Sequence, residues 1–226
     1  MSGDEDKLFD VGDPVVVEPE LECDEEVALE LPDPTQPMPF EPLTGAIFSP
    51  DRIYRYTLWR KLLEKGKTAL FIGLNPSTAN ETVNDPTCER EERYSKAWGM
   101  AMYLKANIFA YRAKDPKVMK KFAKDGGDAV GPENDKYILE CAYKSDLIVC
   151  AWGNHGAFQK RGEAVVKLLK DYFELTALKI TKKGHPNHTL YLKKTLTPVV
   201  WSAHPWGHVA NPDPEPELSM EEELSI

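Results

Sequence analysis

One stretch limits the fold more than any other: Thr68 to Ala79, TALFIGLNPSTA. It begins as an apolar, β-prone run, reaches Gly73 and is broken by Asn75-Pro76, after which Ser77 and Thr78 offer hydroxyls where a helix can start. A continuous apolar run, without polar alternation, suits a strand buried on both faces. Gly73 permits close approach of the backbone, and Pro76 stiffens the turn. The sequence therefore predicts a central strand feeding a ligand-binding turn. Amides at the start of the next helix can hold an anion there. The same residues would serve equally well as a capped strand-to-helix turn with no ligand.

The formal net charge of -9 conceals a segregation. Residues 1–48 hold 14 acids against one lysine, residues 209–226 hold six acids and no base, and residues 49–208 hold 17 acids against 27 bases. A basic domain between acidic ends has the electrostatic footprint of a polyanion binder; the alternative is a solvated, lysine-rich surface. Residues 1–45 are too rich in proline for helix or central strand and read as a disordered acidic tail. That tail either lies on the basic domain, contacts a partner protein or simply solubilises the chain. The folded domain is expected over residues 46–208, with a second acidic tail over 209–226. The four cysteines show no CxxC and no zinc-type spacing, and read as reduced thiols of a cytoplasm. No run approaches the ~20 apolar residues of a membrane span, and the N-terminus lacks a secretory pattern.

Beyond the opening strand, the chain alternates. Strands are expected at Tyr103 to Ala110, Asp146 to Ala151 and Thr176 to Ile180, with helices near Cys88 to Trp98, Pro116 to Lys124, Pro132 to Tyr143 and Glu163 to Tyr172. Tyr54 to Arg60 reads as strand or short helix, and Leu190 to Trp201 as extended or capping structure. Alternation of this kind implies an α/β fold, three-layered α/β/α, around a central, mostly parallel four-stranded sheet. Ligands of such sheets bind beyond the carboxyl ends of the strands. Four loops fall there: GLNPST, FAYRAKDP, AWGNHG and KKGHPNH. They are also the loops richest in Asn, His, Ser and Gly, so a single site built from all four is expected.

Each loop supplies candidates. Asn107 is an amide in an otherwise apolar strand and must find partners. Its donor and acceptor suit the edge of a planar base, or a structural bond to a neighbouring loop. Asp85 can orient a water or stabilise a cationic sugar, or cap the helix that follows. His185 and His188 flank Asn187; a histidine facing a departing anion is the functional reading. Trp152, Asn154 and His155 form the third loop. No carboxylate stands at metal spacing, and there is no GxxxxGK[ST], GxGxxG or GxSxG, so no motif implies a metal, a cofactor, a triphosphatase or a serine hydrolase.

In order and character, the four loops resemble the uracil-DNA glycosylase superfamily. Gly73-Leu74-Asn75-Pro76-Ser77 is similar to the GINPG turn of its mismatch-specific branch, Asn107 to the asparagine that reads the base, LIVCAWGNHGA to LLWG-x-x-A, and His185-Pro186-Asn187-His188 to the HPSP loop. The chain is similar more closely still to an uncharacterised phage and bacterial family known only as a domain of unknown function, through GLNPSTA, NDPT, NIFAYRAKDP, VGPEND, AWGNHG and GHPNH. The superfamily resemblance implies a glycosylase-like fold and hydrolysis of an N-glycosidic bond in DNA. Asn75, or Asp85, would place the water and His185 would stabilise the leaving base. Gly73, Pro76, Ser77, Asn107, Trp152, Asn154, His155, Asn187 and His188 would hold base and DNA. No cofactor is implied, and the expected location is the cytoplasm, that of a bacterial host if the chain is phage-encoded. Two departures stand out: Asn75 replaces the water-activating aspartate of GQDPYH, and Ser77 stands near the place of the aromatic residue that packs under the base. They leave open a non-catalytic binder of nucleic acid or protein, or a nucleotide- or base-modifying enzyme of a phage hypermodification pathway.

If the acidic tail covers the basic face, deleting residues 1–45 tightens DNA binding at low salt, measured by titration against the full chain; unchanged affinity removes the idea.

Overall fold

The computed structural model describes residues 43–201. Residues 1–42 and 202–226 lie outside them, and with them nearly all of the tail expected over 1–45 and the whole of that expected over 209–226. Among the described residues, seven strands form one sheet in the order β1-β2-β4-β3-β5-β6-β7: Thr44–Phe48, Arg55–Lys61, Met102–Asn107, Thr68–Gly73, Leu147–Cys150, Leu175–Ala177 and Val199–Val200. β4, β3, β5 and β6 run parallel, and these are the four strands that the sequence pattern marked. The expected four-stranded, mostly parallel sheet is nevertheless corrected. β1 and β2 extend it antiparallel on one edge and β7 on the other, making it mixed.

The additions have local causes. β2 is a strand because it is paired on both sides, Trp59 meeting Gly45 on β1 and Leu104 on β4. β1 begins two residues before the expected domain start. A Cβ on Gly45 would stand 2.1 Å from the Trp59 ring, so this position takes no side chain larger than hydrogen. β7 (Val199–Val200) lies in Leu190 to Trp201, the stretch that reads as extended or capping structure.

The helices are α1 (Pro86–Ala97), α2 (Pro116–Lys124), α3 (Asn134–Tyr143) and α4 (Arg161–Leu169). Asp85 caps α1 by accepting from the Cys88 N–H, and Asp115 caps α2 through the Lys117 N–H; each is followed by proline in the first turn, where its missing N–H costs nothing. Alternate residues of the central strands enter two cores. Leu70, Ile72, Leu104, Ala106, Ile148 and Cys150 pack with Met119 of α2, Ile138 of α3 and Val165 of α4. Ala69, Phe71, Tyr103 and Val149 pack with Cys88 and Tyr94 of α1. The three-layer arrangement follows. Fully burying a side chain such as Leu70 or Phe71 contributes about 1.5–3 kcal/mol.

β3 is the point where the order reverses. From it the chain moves through α1 to β4 on one side, and from β4 through α2 and α3 to β5 on the other. With α1 on one face and α2 and α3 on the opposite one, the carboxyl end of β3, where Gly73 lies, is the position at which sheets of this kind hold their ligands.

Beside it, the α1 face carries an unusual buried group. Glu91 of α1, 0% exposed, accepts from Tyr103 Oη at 2.9 Å, from Thr189 Oγ1 at 2.9 Å and from Lys105 Nζ, which stands 2.8 Å from each carboxylate oxygen. The carboxylate is satisfied by three side chains from two elements, β4 and the short turn Thr189–Tyr191. Glu91→Ala strands the Lys105 ammonium in the interior and is expected to destabilise by about 3–5 kcal/mol, read as a lower urea midpoint; adding Lys105→Met recovers part of that loss.

Candidate functional site

β4 pairs in parallel with β3, Phe71 opposite Lys105 and Gly73 opposite Asn107. Lys105 and Asn107 are two residues apart and so share a face of the sheet. Gly73 has no side chain to occupy the space between them. A Cβ there would lie 2.7 Å from Lys105 Nζ and 2.9 Å from Asn107 Oδ1, which explains why glycine stands at this position. Asn107 is 2% exposed, and its Nδ2 has no hydrogen-bond partner among the described residues. A buried amide donor left unmade is costly and usually awaits a ligand or water. Its backbone is fixed from the other face: Asn134 Nδ2 donates to the carbonyls of Asn107 and Ile108 at 3.0 and 3.2 Å, and Arg161 Nε donates to Ile108 at 2.7 Å.

His188 completes this cradle. Its Nδ1 accepts from the Leu190 N–H at 3.3 Å as the cap of the short turn Thr189–Tyr191, so in the neutral ring the proton resides on Nε2. Burial, then the Lys105 charge, lowers its pKa against the opposing pull of Glu91 and Asp85. The Gly153 N–H donates to the Pro186 carbonyl at 2.7 Å, and the Cβ absent from Gly153 would lie 3.9 Å from His188. The third and fourth loops are thereby pinned together. Asp85 is buried. Burial would raise its pKa, but the Cys88 N–H and the charges of Arg55 and Lys105 outweigh it and hold the carboxyl below the usual aspartate value.

The remaining expected residues take other places. Asn75 Nδ2 donates to the carbonyls of Pro76 and Ala113, at 3.1 and 2.8 Å, so only its Oδ1 is left to face a water. Pro76 is buried, and Ser77 is half-buried beyond it. Trp152, 1% exposed, lies in the core with its ring edge-on to Trp201 and presents no face to a ligand. Asn154 and His155 are exposed. Asn154 accepts from Thr181 Oγ1 at 2.7 Å, and His155 Nδ1 lies 3.0 Å from Lys120 Nζ. His185 is buried in its own turn, where its N–H meets Thr181 Oγ1 and its pKa is lowered by burial and by Lys183. Asn187 is half-buried, its N–H donating to Lys179 at 2.7 Å. The structure thus gathers Gly73, Asp85, Asn107 and His188, and sets Trp152, Asn154, His155 and His185 apart from them.

The sequence reading missed Lys105, Glu91 and Arg55. A lysine in the middle of MYLKANIF was the available signal. Glu91 was hidden in the charged run EREER, which reads as a solvated face. Arg55 is buried, and donates to the Ala79 carbonyl at 2.9 Å from beneath the first loop. The described cysteines Cys88, Cys141 and Cys150 are free and buried. Burial pushes Cys88 up to about 11 and Cys141 up to about 12, so these two are thiols rather than nucleophiles at neutral pH. Among the described residues no cluster of three or more His, Cys, Asp or Glu could hold a metal, and no helix is long and apolar enough to cross a membrane.

Fold and cradle together define an α/β domain with a buried polar site at the switch point of its sheet. The family model described as Protein of unknown function (DUF1643) matches residues 55–190, more than half of the chain, and the protein belongs to that family. The matched segment holds every residue of the cradle. No curated protein and no solved structure matches the chain.

His188 takes up a proton near 6.5 when unfolded and at lower pH when folded, so the unfolded state binds more protons as pH falls through that interval. His155 and His185 shift in the same direction. Stability is therefore expected to be lower at about pH 5.5 than at about pH 7.5. His188→Gln should flatten part of the difference between urea midpoints measured at the two values.

Proposed function

We propose that this domain receives a nucleobase turned out of DNA and hydrolyses its N-glycosidic bond, in the manner of the uracil-DNA glycosylases that its loops resemble. Asn107 carries the reading: a buried donor without a partner, beside an acceptor, at the carboxyl end of parallel strands, is what the polar edge of a planar base requires. Extrusion of the base costs a few kcal/mol, offset by contacts of this kind.

In the reaction a water oxygen bonds to C1′ of the sugar, the C1′–N bond breaks, and its electron pair leaves with the base. Asn75 Oδ1 is the acceptor suited to orient that water. Asp85, held ionised, is too weak a base to take its proton but opposes the positive charge that develops on the sugar. Nε2–H of His188 donates to the anionic base, which finally acquires the proton lost by the water. We assign the role expected of His185 to His188 instead, because burial and then the charges of Lys105, Glu91 and Asp85 all act on the His188 ring, which places it beside the cradle. One observation favours a second reading, recognition without catalysis: Asn75 has spent both amide hydrogens on its own loops, and Asp85 already caps α1.

Incubating the full chain with DNA carrying a panel of modified bases, followed by mass spectrometry of what is released, separates the two. Base release is expected, with His188→Ala slowing it about a hundredfold and Asn107→Ala weakening discrimination between bases by about 1–3 kcal/mol. Selective binding without release leaves the recognition reading alone; neither release nor selectivity overturns both.

A further inference from the structure

Beside the cradle, the loops of residues 51–53, 77–78 and 111–114 enclose a groove of about 380 Å3 whose polar lining comprises Arg52, Ser77, Thr78, Tyr111, Arg112 and Lys114. Three of its side chains are cationic and two are small hydroxyls, with no acid among them. Nothing in the proposed chemistry uses it.

Arg112 is built into the wall. Its Nη1 donates to the Arg52 carbonyl at 2.9 Å, its own N–H to the Ile53 carbonyl at 3.0 Å, and its guanidinium carbon stands 4.8 Å from the centre of the Phe48 ring. Arg52 covers the same ring at 3.9 Å. Stacking on an aromatic face holds a guanidinium in place and leaves its edge for an oxyanion. Arg112 Nε is buried and without a partner among the described residues. Arg52 is held bidentate by Glu81, at 2.8 and 3.2 Å, and that is a carboxylate in the geometry a phosphate would also adopt. Arg112 makes no ion pair of this kind among the described residues, although the charge of Glu81 reaches it. Burial, then the charges of Arg55 and Arg52, press its pKa down against the opposing pull of Glu81, and an anion bound at its edge would add to that pull.

The groove is also tied to the cradle. The Ala113 N–H donates to the Pro76 carbonyl at 2.9 Å, Asn75 Nδ2 donates to the Ala113 carbonyl at 2.8 Å, and Ser77 follows Gly73 by four positions. A base over Gly73 and an anion at Ser77 are therefore held by one continuous turn.

We infer that this groove is a phosphate subsite in which Arg112 and Lys114, assisted by the hydroxyls of Ser77 and Thr78, bind the phosphate attached to the nucleoside held in the cradle. The inference rests on the base-cradle reading for the rest of the ligand. The phosphate chemistry itself is common to two sources, a phosphodiester of a DNA strand and the monoester of a free nucleotide.

The test is a salt titration of the full chain with a labelled single-stranded oligonucleotide, and in parallel with a nucleoside 5′-monophosphate. Wild type is compared with Arg112→Gln and Lys114→Gln; Lys114 is exposed, so its variant keeps the fold even if Arg112→Gln does not. Each variant is expected to lose about tenfold in affinity at low salt, and the slope of log affinity against log salt to fall by about 1 for each contact removed. An effect on the oligonucleotide alone assigns the diester; an effect on both ligands assigns the monoester as well. Wild-type affinity and slope in both variants for both ligands, or no binding of either ligand by wild type, overturns the subsite. A reduced slope in a protein that releases no base retains the subsite and removes the glycosidic chemistry, whereas base release with unchanged slopes does the reverse.

Discussion

Everything near the site depends on one buried carboxylate. Glu91 sits in the first half of α1 and is reached by Tyr103 and Lys105 from β4 and by Thr189 from the turn that follows His188. A helix, a strand and a loop distant in sequence are fixed against each other by four acceptor contacts on two oxygens. An ion pair so deeply placed gains little over an apolar pair of the same volume, but it specifies geometry in a way that apolar packing cannot. It fixes the ammonium of Lys105 over Gly73 and places the residue next to His188. Replacing Glu91 by an apolar residue would fill the space and lose the reason for every neighbouring position.

Around that centre the charges are arranged in depth. Inside, Arg55 and Lys105 face Asp85 and Glu91. Further out, Arg52 is paired with Glu81, whose charge also reaches Arg112, and the lining of the groove itself carries no acid. The nucleotide proposed above, with a neutral, planar head and an anionic tail, would match this gradient.

The parallel part of the sheet was legible because strands buried on both faces leave continuous apolar runs, and LFI and LIV are such runs. The antiparallel edge was not. In Arg55-Tyr56-Thr57-Leu58-Trp59-Arg60 the two arginines suggest exposed positions, yet both are buried, because a loop folds down over them. Asn107 was readable as an amide out of place in a core strand. The choice between His188 and His185 was not legible, since three residues apart on a loop says nothing of which one stands near Lys105 and Asp85. Trp152 looked like a ligand-facing aromatic at a strand end. A Cβ on Gly156 would meet its ring at 2.1 Å, so the glycine of AWGNHG makes room for the indole in the core rather than for a ligand.

That loop over β2 has a consequence of its own. Arg55 donates to the carbonyl of Ala79, and Arg60 to those of Asn80 and Glu81. The two guanidiniums grip main chain almost exclusively, with Asn84 the side-chain exception. A loop held by its carbonyls keeps its shape whatever residues it displays. Asn80 is a second fixed point, because its Oδ1 closes the turn by accepting from Thr82 and Val83. Between these anchors, positions such as Thr82 and Val83 point outward and are free to change. The loop of residues 79–83 thus keeps one backbone frame while its outward side chains can be exchanged, so its surface chemistry and its shape are set by different residues.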